Sequence, residues 1–284
     1  MLRRSALLVA LAALPALASA DENYFGYSYG SETLPAGANE AYVWWTRRTG
    51  KSEGSYTADD VQLEFEHGWT DRFQTSIYLT GRAFDYSGGS IKDKSTGQAK
   101  SLDSGLRFDG VKAAFKWSLK SPERDGYGLA LYVEPQYSSL SRGSGDKGKE
   151  LALETKLLLQ KNFLDGQLVS VYNLTLEPEW EHEHGEWKKE LYVENSAGLS
   201  YRVAPRWFAG LETRVDMAFP DYGAREFWAW YAGPSVHYAG QKYWATLAWM
   251  PQIKGAPVDT ARSSRLHLEE RERSEVRLKV GMNF

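Results

Sequence analysis

Apolar and polar residues alternate with a period of two along most of this chain. In the stretch ELALETKLLLQ, which begins at Glu150, leucines fill most of one set of alternate positions, while the other set includes Glu154 and Lys156. Successive side chains of a β-strand point to opposite faces, so this period predicts strands with one apolar and one charged face. A face that carries this much charge is excluded from a protein core. The chain is therefore predicted to be all-β.

Twelve strands of this kind are predicted, with bounds defined to within a few residues. Many exceed the roughly 5–6 residues typical of globular strands, and they reach or pass the roughly 9–11 residues that cross a bilayer obliquely. Aromatic residues make up 14% of the chain, which fits the aromatic belts of membrane barrels. The predicted strands span residues 40–49, 57–67, 72–84, 104–119, 126–139, 148–162, 167–181, 187–203, 206–218, 226–239, 242–252 and 273–284.

Short and long connections alternate between these strands. Tight turns at 68–71, 121–125, 165–166, 204–205 and 240–241 alternate with polar loops at 49–56, 85–103, 141–147, 183–186, 220–225 and 254–272. Short periplasmic turns and longer extracellular loops are typical of outer-membrane barrels, whereas a soluble sandwich has no reason to sort its connections by rim. The sequence therefore predicts a single antiparallel up-and-down transmembrane β-barrel of about 12 strands over residues 40–284. The 85–103 loop is long enough to fold inward as a constriction or to stay on the surface.

The last nine residues, VRLKVGMNF, form the most regular alternation of all. Arg277 and Lys279 fall on one side, and Val280, Met282 and Phe284 fall on the other. In hydrocarbon every unpaired backbone N–H or C=O costs several kcal/mol, so a sheet in lipid must close without an edge. We therefore expect this stretch to be the closing strand, paired with the first strand, its apolar side facing lipid.

The first 20 residues have the pattern of a secretory signal peptide. Arg3 and Arg4 precede an apolar run that ends in a small-residue cleavage pattern, which predicts cleavage after Ala20. Its removal takes away two arginines and no acid, so the formal charge of −3 becomes −5. The chain has no cysteine, which excludes a disulfide-stapled domain and thiol chemistry. Residues 21–39 are predicted to be either a periplasmic leader or a segment inside the barrel.

These features together resemble the bacterial outer-membrane β-barrel superfamily. The resemblance implies a location in the outer membrane of a Gram-negative bacterium, with outer-membrane lipid around the barrel. It also implies that Val280, Met282 and Phe284 belong to the terminal signal that the barrel-assembly machinery reads. The stretch EFEHGWTDRFQTSIYL, residues 64–79, is similar to a strand-turn-strand pattern of uncharacterised barrels and of some transporters. The resemblance specifies an architecture and leaves the substrate open.

Charged residues on the inward side of the strands are the candidate pore-lining residues. They are Glu64, Glu66, Glu134, Glu154, Lys156, Glu190, Glu194, Arg202, Glu212, Arg214, Asp216, Arg277 and Lys279. Acids outnumber bases, so the lumen is predicted to be mixed and mildly acidic, which disfavours a channel for polyanions. The alternative is that these charges pair across strands and fill a closed lumen.

Other chemistry finds little support in the residues. A lipid-hydrolysing enzyme needs a serine, a histidine and a polar orienting group on the lipid-facing surface, whereas His237 is predicted to point inward; no catalytic residue is assigned. His182 and His184 point the same way in an extended chain, but two histidines without a third ligand are weak metal candidates. Neither a metal site nor a cofactor is predicted, and the lack of a basic patch argues against nucleic acid.

The function predicted from the sequence is a narrow passive channel, similar to a porin, for small hydrophilic solutes. The alternative is a closed barrel that has a structural or surface-interaction role and works through its extracellular loops. A lipid-modifying enzyme of the outer membrane is the third possibility.

Overall fold

The computed structural model describes residues 24–89, 91–92, 96–183, 186–256 and 266–284. The predicted signal peptide, its cleavage site after Ala20 and His184 lie outside the described residues. None of the described residues forms a helix that is long and apolar enough to cross a membrane.

Twelve antiparallel strands form one closed barrel, as predicted. Each strand pairs with its neighbours in the sequence, and the first strand pairs with the last. The strands are β1 (Asn39–Thr49), β2 (Ser55–Thr70), β3 (Phe73–Ser87), β4 (Leu102–Lys120), β5 (Gly128–Leu140), β6 (Lys147–Phe163), β7 (Leu168–Glu183), β8 (Glu186–Ala204), β9 (Trp207–Pro220), β10 (Phe227–Ala239), β11 (Tyr243–Gly255) and β12 (Ser274–Asn283).

The closing strand is held to the first strand up to the last residue. Val43 of β1 faces Val280 of β12 in register. Asn39 and Phe284 exchange both backbone hydrogen bonds, with N···O distances of 3.0 and 2.9 Å. The Phe284 ring lies 6.1 Å from the ring of Phe65 on β2. The prediction of a closing strand is thus confirmed, because pairing satisfies the backbone groups that would otherwise form an open edge.

Large apolar side chains cover the outside of the barrel, and polar side chains fill the inside. Leu63, Ile77 and Leu211 are among many exposed aliphatic residues on the outward face. A continuous apolar surface of this kind is typical of a protein face that contacts lipid. Asn195 is a polar exception on that face, and its Oδ1 accepts a hydrogen bond from the Tyr172 hydroxyl at 2.6 Å. This contact satisfies the amide oxygen where lipid offers no hydrogen bond.

The connections sort into two rims. One rim, called the short-turn rim, joins β2–β3, β4–β5, β6–β7, β8–β9 and β10–β11, and the other, called the long-loop rim, carries the remaining loops. The loop between β3 and β4 is shorter than predicted, since the strands extend to Ser87 and from Leu102. In its described part Lys92 bridges to Ala99, and Ile91 packs on a buried aromatic cluster of β2 and β3. By the usual rule for these barrels the short-turn rim is periplasmic.

Candidate functional site

The described residues 24–38, called here the N-terminal segment, lie inside the half of the barrel next to the short-turn rim. Phe25 is fully buried. At one end the Tyr24 ring packs 4.8 Å from the Phe208 ring. At the other end the Gly37 N–H donates to the Gly68 carbonyl at 2.7 Å. Of the two places expected for residues 21–39, this part occupies the lumen.

Inward side chains of the barrel accept hydrogen bonds from the backbone of the N-terminal segment. Residues 24–38 form no strand, and buried N–H groups without a partner are costly. Side-chain amides of β7, β6 and β3 provide acceptors at 2.7 to 2.8 Å: Tyr29 donates to Asn173 Oδ1, Ser31 to Gln160 Oε1 and Leu34 to Gln74 Oε1. The segment is therefore fixed by side chains from distant strands.

Glu212 of β9 accepts more hydrogen bonds from the backbone of the N-terminal segment than any of these amides. Its buried carboxylate accepts three successive backbone N–H groups, from Gly26 at 2.7 Å, Tyr27 at 2.8 Å and Ser28 at 2.9 Å. Successive N–H groups form an anion-binding nest, and hydrogen bonds to a charged acceptor are stronger than neutral ones. Arg277 also contacts this part of the segment, since its guanidinium lies 4.1 Å from the Tyr27 ring centroid.

A cavity of about 1000 Å³ occupies the half of the barrel next to the long-loop rim. Arg214 and Arg277 line it on the side of the N-terminal segment, and Lys188 and Asp221 line it at the mouth. This volume lies at the upper end of the range for small-molecule sites, which is roughly 300–1,000 Å³.

Residues 266–273, called the strap, fold inward at the mouth. Glu272 is completely buried, and its carboxylate lies 2.8 Å from Arg48 Nη1, 3.3 Å from Lys51 Nζ and 3.3 Å from Arg142 Nη2. Burial opposes its ionisation, but Arg142, Lys51 and Arg48 hold the pKa of Glu272 well below its usual range. Burial lowers the pKa of Lys51 to about 8. The strap is thus attached by a buried anion among three cations.

His267 is buried and attaches the strap to the barrel through its ring and its backbone. Its ring stacks on Phe227 at a centroid distance of 4.4 Å, and its backbone N–H donates to Gln252 Oε1 at 2.6 Å. Burial and the neighbouring Arg271 guanidinium lower the pKa of His267 to about 4. The imidazole is therefore neutral at pH 7.

The cavity has two walls of different charge. The acidic wall, on β6, β7 and β8, comprises Glu150, Glu154, Glu177, Glu179, Glu190 and Glu194. The opposite side carries an arginine cluster, formed by Arg48, Arg82 and Arg142. Opposed charged walls set a transverse field across a pore.

The structure divides the 13 predicted pore-lining residues into three groups. Six line the cavity: Glu154, Glu190, Glu194, Arg214, Asp216 and Arg277. Six are buried in the barrel but do not line the cavity: Glu64, Glu66, Glu134, Lys156, Glu212 and Lys279. Arg202 lies near the short-turn rim, exposed, with its guanidinium 5.1 Å from the Phe208 ring.

The second group interacts with aromatic rings and with the N-terminal segment. Glu64 accepts a hydrogen bond from Trp44 Nε1 at 2.9 Å. Lys279 Nζ lies 3.9 Å from the Trp44 ring, and Lys156 Nζ lies 4.5 Å from the Tyr29 ring. These charged side chains stabilise the half of the barrel next to the short-turn rim, and they also face its interior.

Sequence reasoning missed Arg48, Glu272 and Arg271. Arg48 continues the inward alternation of Tyr42 and Trp44, so the pattern itself contained a signal for it. Arg271 and Glu272 belong to a loop, and no local pattern distinguishes a loop that folds into a cavity from one that stays on the surface. The contribution of the strap to the cavity could therefore be found only from the three-dimensional structure.

The weaker candidates from the sequence are His182 and His237, since His184 lies outside the described residues. The His182 ring packs 5.0 Å from the Trp187 ring. Over the part of the chain that the structure describes, no group of three or more His, Cys, Asp or Glu residues is arranged to hold a metal ion. His237 is buried inside the barrel, and its Nδ1 lies 2.7 Å from the Thr246 hydroxyl.

The closed barrel, its apolar outside and its polar inside define this protein as an outer-membrane β-barrel. The chain belongs to the family of unknown function DUF6662, whose model matches residues 17–284. Among solved structures it is similar to the COG4313 outer membrane channel from Pseudomonas putida F1, at 13% identity and a TM-score of 0.61, over 89% of this chain and 98% of that one.

A second similar structure is the β domain of the Bordetella autotransporter BrkA, at 11% identity and a TM-score of 0.47, over 87% of this chain and 99% of that one. At 13% identity the likeness to the COG4313 channel shows a shared fold alone. A comparison with curated proteins finds no match.

Proposed function

We propose that this protein is an outer-membrane channel for small hydrophilic solutes, which enter from the long-loop rim. The observation that carries the proposal is the cavity of about 1000 Å³, lined by opposed charged walls. A lumen of this polarity suits a hydrated solute better than a hydrocarbon. The shared fold with a solved outer membrane channel agrees with this proposal.

In this proposal the N-terminal segment limits passage to the periplasm. It fills the barrel between the cavity and the short-turn rim, where Glu212 and Asn173 bind its backbone. A solute that enters the cavity would pass only when the segment shifts or leaves the barrel. We therefore expect a narrow and infrequent conductance from the intact protein.

The same segment favours a second candidate, a closed barrel that works through its extracellular loops. Its backbone is hydrogen-bonded to β9, β7, β6 and β3, so the short-turn half is filled by well-satisfied contacts. A barrel fixed in this state would not conduct, and its loops would be the working surface.

Single-channel recording in planar bilayers separates the two candidates. The mature protein and a variant without residues 24–36 would be compared under a salt gradient, after both are checked for the folded barrel by heat-modifiable migration. The channel proposal expects small currents from the intact protein, larger currents from the deletion variant, and a reversal potential that favours cations. Absence of current from both folded proteins would contradict it and favour the closed barrel.

A further inference from the structure

Carboxylates face one another in register across the acidic wall. Glu179 of β7 pairs with Glu190 of β8, and Glu194 of β8 pairs with Asp216 of β9. Like charges directly opposite each other destabilise a sheet unless a cation compensates them. Arg214 Nε compensates the second pair, at 3.9 Å from Glu194 and 3.2 Å from Asp216.

The first pair has no such compensation. Within the described residues no lysine, arginine or histidine nitrogen lies within 4.0 Å of Glu179 or Glu190. Glu190 accepts one hydrogen bond from the Tyr192 hydroxyl, and Glu177, next to them on β7, accepts one from Gln136. The middle of the wall therefore presents carboxyl oxygens that no cationic side chain of the described residues contacts.

Three cations around the wall already have carboxylate partners. Lys112 lies 3.2 Å from Glu134, and Lys156 lies 3.0 Å from Glu154. Arg271 of the strap lies 3.6 Å from Asp216. Since each of these cations has a nearer partner, the carboxyl groups in the middle of the wall remain available to a ligand.

The arginine cluster opposite the wall is also paired. Arg48 lies 2.7 Å from Asp60, and Arg82 lies 3.2 Å from Asp109. Arg142 pairs with the buried Glu272 of the strap. The carboxyl groups without an ion-pair partner are therefore concentrated in the middle of the acidic wall.

A hydroxyl without a hydrogen-bond partner lies beside these carboxyl groups. Thr175 of β7 is 3% exposed and lines the cavity two positions before Glu177. Its Oγ1 is buried and has no hydrogen-bond partner. A buried hydroxyl without a partner is costly, and a donor from a bound molecule would satisfy it.

One residue of the strap, Arg271, shows which kind of cation fits the edge of the acidic wall. The Arg271 guanidinium lies 5.0 Å from the ring of Tyr192, which stands between Glu190 and Glu194 on β8. Guanidinium and ammonium groups bind over aromatic rings as well as to carboxylates. No metal-holding group occurs in the described part of the chain, so an organic cation suits the wall better than a metal ion.

We propose that the acidic wall binds the ammonium or guanidinium group of a small organic cation. Glu177, Glu179 and Glu190 are its carboxylate partners, and the Thr175 hydroxyl accepts one of its N–H groups. This inference rests on the proposed function, because it names the class of solute that the cavity admits. Oxygen acceptors on one wall of a site of this volume give orientation as well as charge.

Calorimetric titration of the folded mature protein with putrescine, a small diamine, tests the binding. The test variant is Glu177→Gln with Glu179→Gln. The control variant, Glu123→Gln with Asp165→Asn, removes the same charge from exposed turns at the short-turn rim. Thr175→Val keeps the shape of the side chain and removes the hydroxyl. Succinate serves as the anionic counterpart of the probe, and calcium chloride as a metal probe.

We expect putrescine to bind the native protein and the control variant equally, and the test variant at least about tenfold more weakly. Thr175→Val is expected to weaken binding by about threefold to tenfold, and succinate should not bind. The inference is overturned if putrescine does not bind, if test and control variants lose the same affinity, or if calcium alone binds at the wall. Conductance without putrescine binding would overturn this inference and leave the channel proposal standing. Putrescine binding without conductance would overturn the channel proposal and leave the binding site standing.

Discussion

The carboxylate of Glu212 accepts the backbone N–H of Tyr27 at 2.8 Å, across 185 positions of the sequence. Gly26 and Ser28 donate to the same carboxylate. This contact joins the wall of the barrel to the segment that fills it. Glu212 therefore contributes three hydrogen bonds from backbone N–H groups to the filled state.

Glu212→Gln is expected to release the N-terminal segment. Glutamine loses the charge and turns an NH₂ group toward backbone donors, and each hydrogen bond to a charged group contributes about 1.5–3 kcal/mol. We expect chymotrypsin, in detergent, to cleave at Tyr24 to Tyr29 at least about tenfold faster than in the native protein. Glu194→Gln is the control, since Glu194 lines the cavity without a contact to the segment. Equal cleavage of both variants would contradict the role of Glu212.

Gly26→Ala is expected to loosen the N-terminal segment. The added substitution Ala248→Gly should restore the packing of the segment. A Cβ built on Gly26 lies only 2.4 Å from the Ala248 Cβ on β11, which is far inside contact distance. Overpacking of this kind costs about 1–3 kcal/mol. Protection from chymotrypsin would fall in the single variant and recover in the double variant. If the double variant is cleaved as fast as Gly26→Ala, the close approach is not the cause.

Leu211→Arg is expected to destabilise the barrel in vesicles. Leu211 is 65% exposed near the middle of β9, paired with Leu199, and a cation at the bilayer midplane costs about 2–4 kcal/mol. Leu164→Arg is the matched control, because Leu164 is 62% exposed but lies in the turn between β6 and β7. Guanidinium unfolding in phospholipid vesicles, followed by tryptophan fluorescence, measures both. Equal losses would argue against lipid around β9.

Phe284→Ala is expected to lower assembly in cells more than stability in detergent. The ring is exposed at the end of the closing strand and contacts Phe65, so its removal costs little packing. If the assembly machinery reads this residue, the fraction of heat-modifiable protein in the outer membrane should fall several-fold, while refolding in detergent stays nearly unchanged. Phe163→Ala, an exposed ring at the end of β6, is the control. Equal assembly of all three proteins would remove Phe284 from the signal.

The strap is expected to loosen as the pH falls from about 6.5 to about 4. His267 has an ordinary value of 6.5, and its pKa in the folded protein is about 4. Between these values the unfolded strap binds a proton that the folded strap does not, so stability is full above pH 6.5 and is lost as the pH falls, by on the order of 2 kcal/mol. Protonation of Glu272 adds to the loss at lower pH, because its folded pKa lies below its ordinary value of 4.5.

Hydrogen exchange of residues 266–273 as a function of pH measures this effect. His267→Phe keeps a ring against Phe227 and cannot titrate, so its protection should change little between pH 6.5 and 5. A native strap with constant protection over that interval would contradict the contribution of His267.

The sequence determined the barrel because the relevant signal is local. Alternation in stretches such as 150–160 and 276–284 fixes which side chains share a face, and the sorting of short and long connections fixes the rims. Pairing of the first and last strands then follows from the cost of an open edge in lipid. The inward positions of Glu154, Glu194 and Asp216 follow from the same period.

The role of each inward side chain depends on the closed barrel and cannot be inferred from the local pattern. Glu212 and Asp216 are four residues apart on one face of β9, yet one binds the N-terminal segment and the other lines the cavity. Neither the segment nor the strap has a periodic pattern, and partners such as Glu212 for the segment and Arg48 for the strap lie on strands far away in the sequence. The local pattern therefore predicts the strands of the barrel, whereas the contacts that fill the lumen depend on the fold. A face is set by the two-residue period of each strand, whereas a contact inside the lumen depends on where the closed barrel brings distant residues together.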